Sequence, residues 1–203
     1  MLQRTKGRFL LTLLVITGLA GTLKNSTLTK TERKLAVTEL KETKEEILQS
    51  IKGLSKAQLA YKSTTTHRSI KETITDLALT EKNLWNMLGT AMQHQAVTGP
   101  RHAMTDEDLS SLVNNPGQAI PLSPSRSKAA WKTAAGALSA FKDVRTDHIR
   151  YTKSTTEDLR NHFIQLPAGQ IDAYQFIRLV AAHSSRFVQQ INDIKQEPGF
   201  PKH

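Results

Sequence analysis

One stretch of the chain leaves little freedom in how it can fold. Across residues 171–195, Ala173, Ile177, Val180, Ser184, Phe187, Ile191 and Ile194 recur at alternating spacings of four and three. That rhythm places them on one stripe of a long helix. Asp172 falls in its first turn, where a carboxylate suits the positive end of the helix dipole. Pro198-Gly199 closes the pattern, because proline cannot extend a helix and glycine tolerates the turn. His183 lies beside the stripe, and one turn further on stands Phe187. A helix with one apolar face needs partners, and the rest of the chain supplies them.

A first helix is predicted over 31–52, with Leu35, Leu40, Ile47, Leu48 and Ile51 apolar and Gly53 as its stop. Ser55 and Gln58 stand at capping-box spacing and open a short helical turn, and Thr64 to Thr66 read as loop. Ser69 and Glu72 repeat the capping box at the head of a second long helix. There Ile70, Ile74, Leu77, Leu84 and Leu88 face the core, widened by Ala78, Trp85 and Met92. Residues 95–128 are irregular: Thr98-Gly99-Pro100 breaks the helix, Thr105 caps a brief one through Leu112, and a loop rich in Asn, Pro, Gly and Ser follows. So long a connection is expected to cross over the end of a bundle. A third long helix over 131–153 sets Ala134, Leu138, Phe141, Arg145, His148 and Thr152 roughly on one side. Residues 156–162 read as a further helical turn, and Pro167-Ala168-Gly169 as the turn into the last helix. The expectation is an all-α four-helix bundle over 31–201, with a long crossover loop between the second and third helices and a linker at 21–30.

The chain has no cysteine, which excludes disulfides, thiolate metal sites, iron–sulfur clusters and a cysteine nucleophile. The net charge of +10 is spread along the chain, without an arginine-rich run, zinc-finger spacing or aromatic-interleaved motif. It reads as a solvated basic surface, and no nucleic-acid partner is expected. Residues 1–20 have the layout of a secretory signal: Arg4, Lys6 and Arg8, then the apolar run Phe9 to Ile16, then Gly18-Leu19-Ala20. The run is shorter than the roughly 20 apolar residues a membrane span needs. A periplasmic or secreted protein without a stable span after cleavage is expected, with an uncleaved membrane anchor as the alternative. No cysteine follows the run, so a lipoprotein is excluded.

Two stretches carry a resemblance. Arg68-Ser69-Ile70-Lys71-Glu72 through Leu77-Ala78-Leu79-Thr80-Glu81 is similar to the second-helix motif of the DinB-like superfamily of four-helix bundles. His183-Ser184-Ser185-Arg186 through Gln189-Gln190-Ile191 to Pro198-Gly199-Phe200-Pro201 resembles that family's last helix and tail, and Leu54 to Leu59 fits its short segment after the first helix. The resemblance covers residues 29–201. It implies a bundle whose members commonly hold a divalent metal with three histidines, one on the second helix and two a turn apart on the fourth. Several relatives are thiol-dependent transferases, and others are described as metal-dependent hydrolases. Three imidazoles on rigid helices would hold the ion and leave a position where bound water or thiolate becomes a nucleophile.

In this chain the second-helix ligand position is Asp76, the first fourth-helix position is His183, and the other is Phe187, which coordinates nothing. Arg68 stands where the family has a tryptophan. The candidate metal residues are therefore Asp76 and His183, a carboxylate and an imidazole that could in principle bind zinc, nickel or manganese. Asp76 also reads simply as a solvated helix residue, and His148 and His162 read as surface or capping histidines. Three functions stay open. The first is an exported bundle with a degenerate metal site, no cofactor, and a binding or structural role. The second is a metal-dependent transferase or hydrolase using Asp76, His183 and a third ligand from His148, His162 or the long loop. The third is a basic envelope protein touching anionic lipid or polymer. A small-molecule partner and a homodimer are compatible with the first two. A serine hydrolase built on Ser184 or Ser185 is disfavoured, because neighbours on a helix point about 100° apart and His183 cannot serve them as base.

Overall fold

The computed structural model describes residues 27–64, 67–97, 104–114 and 131–202. The elements, in order, are α1 Lys30–Ile51, α2 Lys56–Ala60, α3 Ile70–Gln93, α4 Asp106–Asn114, α5 Ala134–Ser154, β1 Phe163–Leu166, β2 Gly169–Asp172 and α6 Ala173–Gln196. The four long helices are α1, α3, α5 and α6, and the fold is the predicted bundle. Both expected capping boxes form, Ser55 with Gln58 and Ser69 with Glu72, and Thr29 with Glu32 and Asp172 with Gln175 add two more. Asp172 is thus the N-cap of α6 itself, its carboxylate accepting from the Gln175 N–H at 2.7 Å. The glycines past α1 and α6 take the left-handed conformation, Gly53 at φ 76° and Gly199 at φ 88°.

Side-chain contacts give the helix directions. Glu39 meets Arg178 and Ser50 meets Lys195, so α1 and α6 run parallel. Glu81 meets Arg145 and Trp85 meets Tyr151, so α3 and α5 also run parallel. Arg33 donates to the Thr152 carbonyl while Lys44 donates to Thr146, so α1 opposes α5. Joining two parallel neighbours of about 36 Å requires a connection that travels the length of the bundle. Residues 94–133 are that connection, the long crossover between the second and third long helices that the sequence led us to expect. Within them α4 lies against α6, and the Gln175 side chain donates to the Met104 carbonyl at 2.8 Å.

A small hairpin, β1–β2, leads into α6 and departs from the purely helical expectation. Ile164 pairs with Ile171 and Leu166 with Gly169, leaving Pro167-Ala168 as a two-residue turn. Ile164, Leu166 and Ile171 turn inward, so this segment follows a period of two rather than 3.6. Residues 156–162 are turn and bend rather than helix. Among the described residues no helix is long and apolar enough to cross a membrane. The leader at 1–20, the linker up to residue 26 and the loop at 115–130 lie outside the described residues.

The apolar core forms two clusters. One gathers Leu40, Leu84, Leu88, Ile177 and Val180, the other Ile47, Ile74, Leu77, Phe141, Phe187 and Ile191. Between them every long helix contributes polar side chains: Thr43 from α1, Glu81 from α3, Arg145 and His148 from α5, His183 and Ser184 from α6. The bundle is crossed at mid-height by a buried polar layer.

Candidate functional site

Arg145 is the largest fully buried side chain in the described structure. Its guanidinium meets the Glu81 carboxylate fork to fork, Nε to Oε1 at 2.5 Å and Nη2 to Oε2 at 2.8 Å. Nη2 also donates to Ser184 Oγ at 2.5 Å, and Nη1 donates to Thr43 Oγ1 at 2.8 Å and to the Leu40 carbonyl at 3.2 Å. All five donors are engaged. Burial alone would push the Glu81 carboxyl up. The charge and hydrogen bonds of Arg145, helped by His148, overcome that and hold it at about 2. Glu81 is therefore ionised, so His148 Nδ1, 2.8 Å from Oε1, is the donor of that bond. Trp85 packs its ring across His148 at 4.3 Å.

The sequence reading placed Arg145 and His148 on the helix stripe but took His148 for a surface histidine. It is only 3% exposed, and its carboxylate partner explains why burial is tolerated. Glu81 escaped notice as a core residue. The signal was present: the stripe of α3 steps from Leu77 by four to Glu81 and by three to Leu84. A lone acid in that register, matched by a lone arginine in the register of another helix, is the mark of a buried pair.

The predicted metal residues fare differently. His183 is 6% exposed, and neither ring nitrogen has a hydrogen-bond partner. Burial first, then the charge of Arg186, push its imidazole down to about 4. Phe187 packs edge-on against it, centroids 5.4 Å apart and planes at 81°. Asp76 is not joined to His183. It forms an ion pair with Arg68, the residue standing at the family's tryptophan position. His148 is held by Glu81. Both nitrogens of His162 face carbonyl oxygens, that of Asp158 at 2.7 Å and that of His94 at 3.1 Å. Ser184 donates to the Val180 carbonyl at 3.3 Å, as expected of a helical serine. Ser63 and Glu197 both approach His67 Nδ1, at 2.6 and 3.5 Å, whereas a catalytic relay needs them on opposite nitrogens.

Among the described residues no three His, Cys, Asp or Glu side chains gather as a set able to hold a metal ion. His183 offers unpartnered nitrogens, but Asp76 is ion-paired with Arg68 and Phe187 has no lone pair. These donors do not fit a three-ligand site of the kind the resemblance implies.

A family model described as the DinB superfamily matches residues 39–191. Among solved structures, YfiT from Bacillus subtilis, described as a probable metal-dependent hydrolase with an unusual four-helix bundle topology, aligns with a TM-score of 0.56. The alignment is 14% identical and covers 84% of this chain and 89% of that one, a likeness of fold. A search of curated proteins finds no match.

Proposed function

The chain belongs to the DinB superfamily, and from that premise we propose that it is an exported member whose metal position is degenerate, serving a binding or structural role. One observation carries the reading: the Phe187 ring, 8% exposed and part of the lower apolar cluster, packs on His183 where a second imidazole would have to converge. The Arg68–Asp76 pair supports it, since a carboxylate engaged by a guanidinium must give up that partner to ligate a metal. The polar layer supplies the mid-bundle anchoring that an ion would otherwise provide. Export rests on the composition of residues 1–20.

The test is metal analysis and thermal shift with zinc, nickel and manganese on purified protein, beside a variant carrying Asp76→His and Phe187→His. The expected outcome is no shift for the natural chain. The restored three-histidine variant should gain about 5–10 °C at a hundredfold excess over its dissociation constant. Stoichiometric metal in the natural chain, lost in His183→Ala, would overturn the proposal. It would favour a second reading, a metal-dependent hydrolase or thiol-transferase-like enzyme using Asp76 and His183, to which the unpartnered nitrogens of His183 alone point.

A further inference from the structure

A cavity of about 540 Å³ runs along the C-terminal half of α3, beside the end of α5 and the turn that follows it. It belongs to a different part of the bundle from His183 and Asp76, neither of which lines it. Its volume falls within the range of small-molecule sites, and it is an open groove in which Asn86, Gly89, Thr90, Gln93 and Glu157 are exposed. Trp85 and Tyr151 form an aromatic corner, centroids 5.5 Å apart and planes at 79°. Trp85 is fixed from behind by His148 and the buried polar layer. Tyr151 is fixed by donating its hydroxyl to Glu157 Oε2 at 2.6 Å, an oxygen that also accepts from Thr155 at 3.2 Å.

Two features of this cavity bear on what it could hold. The first is Gly89. A glycine in the interior of a long helix weakens it, and close packing is the usual reason to keep one. Here a Cβ at position 89 would meet nothing within 4 Å. What the missing side chain does is leave the cavity open between Trp85 and Met92. The second is Glu157. Of the described residues lining the cavity it alone carries a charge, and its Oε1 has no partner among the described residues. Aromatic rings attract cations placed over their faces, and Glu157 adds a full negative charge beside the pair.

We propose that this cavity binds a small organic cation, an ammonium or quaternary ammonium group on a compact apolar body. The cationic head would sit against Trp85, Tyr151 and Glu157, and the body over Gly89 and Met92. The inference does not depend on whether the position at His183 holds metal.

Choline and its uncharged isostere 3,3-dimethylbutan-1-ol distinguish charge from shape. Each is titrated into the full chain and followed by calorimetry and by the indole N–H resonance of Trp85. Choline should bind saturably and the isostere about tenfold more weakly. Glu157→Gln, which preserves a hydrogen-bond acceptor for Tyr151, should weaken choline about fivefold to tenfold. Gly89→Leu should abolish binding while the melting temperature holds or rises, because leucine favours helix and meets open space. Trp85→Ala tests the ring but also strips the cover from His148, so Gly89→Leu is the decisive variant. Equal binding of the isostere, choline binding that survives Gly89→Leu, or no saturable response to choline would each overturn the proposal.

Discussion

Replacing Glu81 and Arg145 by methionine, singly and together, measures what the polar layer contributes. Both side chains are essentially without exposure, 1% and 0%, so solvent does not screen them. Holding the Glu81 carboxyl at about 2 instead of 4.5 corresponds to about 3 kcal/mol of preferential stabilisation of the ionised form. Removing one partner does more than forfeit this, because it leaves the other charge buried and unpaired. Each single substitution should therefore cost about 3–5 kcal/mol. The double substitution removes both charges and inserts two flexible apolar side chains between existing apolar clusters. Thr43 and Ser184 keep partners in the backbone carbonyls of Glu39 and Val180, and the Leu40 carbonyl keeps its place in the hydrogen-bond ladder of α1, so His148 is the main polar group left short of a partner. The double variant should cost about 2 kcal/mol or less, giving a coupling of about 4–8 kcal/mol. Urea unfolding at neutral pH, followed by far-ultraviolet circular dichroism, supplies the cycle. If a single variant fails to fold while the double one does, the coupling is confirmed in a stronger form. Additivity within about 0.5 kcal/mol would refute the reasoning, since it would mean that the fork-to-fork pair does not act as a unit. The pH window has a definite sign as well. Glu81 is depressed on folding, so its stabilisation is fully present above pH 4.5 and lost as the pH falls through about 2.

Two further predictions concern the neighbours of that pair. His183 is pushed down to about 4 from 6.5, so the unfolded chain binds its proton first, and stability should fall by about 3 kcal/mol between pH 7 and pH 4 from this residue alone. His183→Leu should flatten that slope and raise neutral-pH stability by about 1–2 kcal/mol, because it removes two buried nitrogens without partners. A neutral-pH loss above about 1 kcal/mol on urea unfolding would instead mean that those nitrogens have work to do. Arg160 ties the N-terminus of α1 to the hairpin by bridging Glu32 and Asp172, the latter at 2.8 Å, while lying 4.2 Å over the Tyr174 ring. Arg160→Met should cost about 2 kcal/mol and raise hydrogen exchange in the first turn of α1; a change below about 0.5 kcal/mol would refute the bridge.

What the sequence made legible follows from how local each determinant is. The four long stripes and the capping boxes are set by residues within one or two turns of each other, and all of them formed. The hairpin was missed although Ile164-Gln165-Leu166 alternates, because three residues of alternation are too few to outweigh the helical patterns on either side. The parallel pairing of α3 and α5 is a property of the whole connection, and only its length hinted at it. The fate of Asp76 was not readable at all: Arg68 lies before the helix begins, eight positions away, outside any helical spacing rule. Charge at a core position was the one non-local signal within reach. Glu81 and Arg145 each break an apolar stripe, and neither could be buried without the other. The same logic bears on the ligand positions. His183 belongs to the polar layer and Phe187, one turn on, to the apolar cluster below it. A metal ion needing both would have to sit across the boundary between them. Restoring a histidine at 187 therefore asks the lower cluster to accept a polar ring, which is why the restored variant should be less stable without metal than the natural chain and more responsive with it.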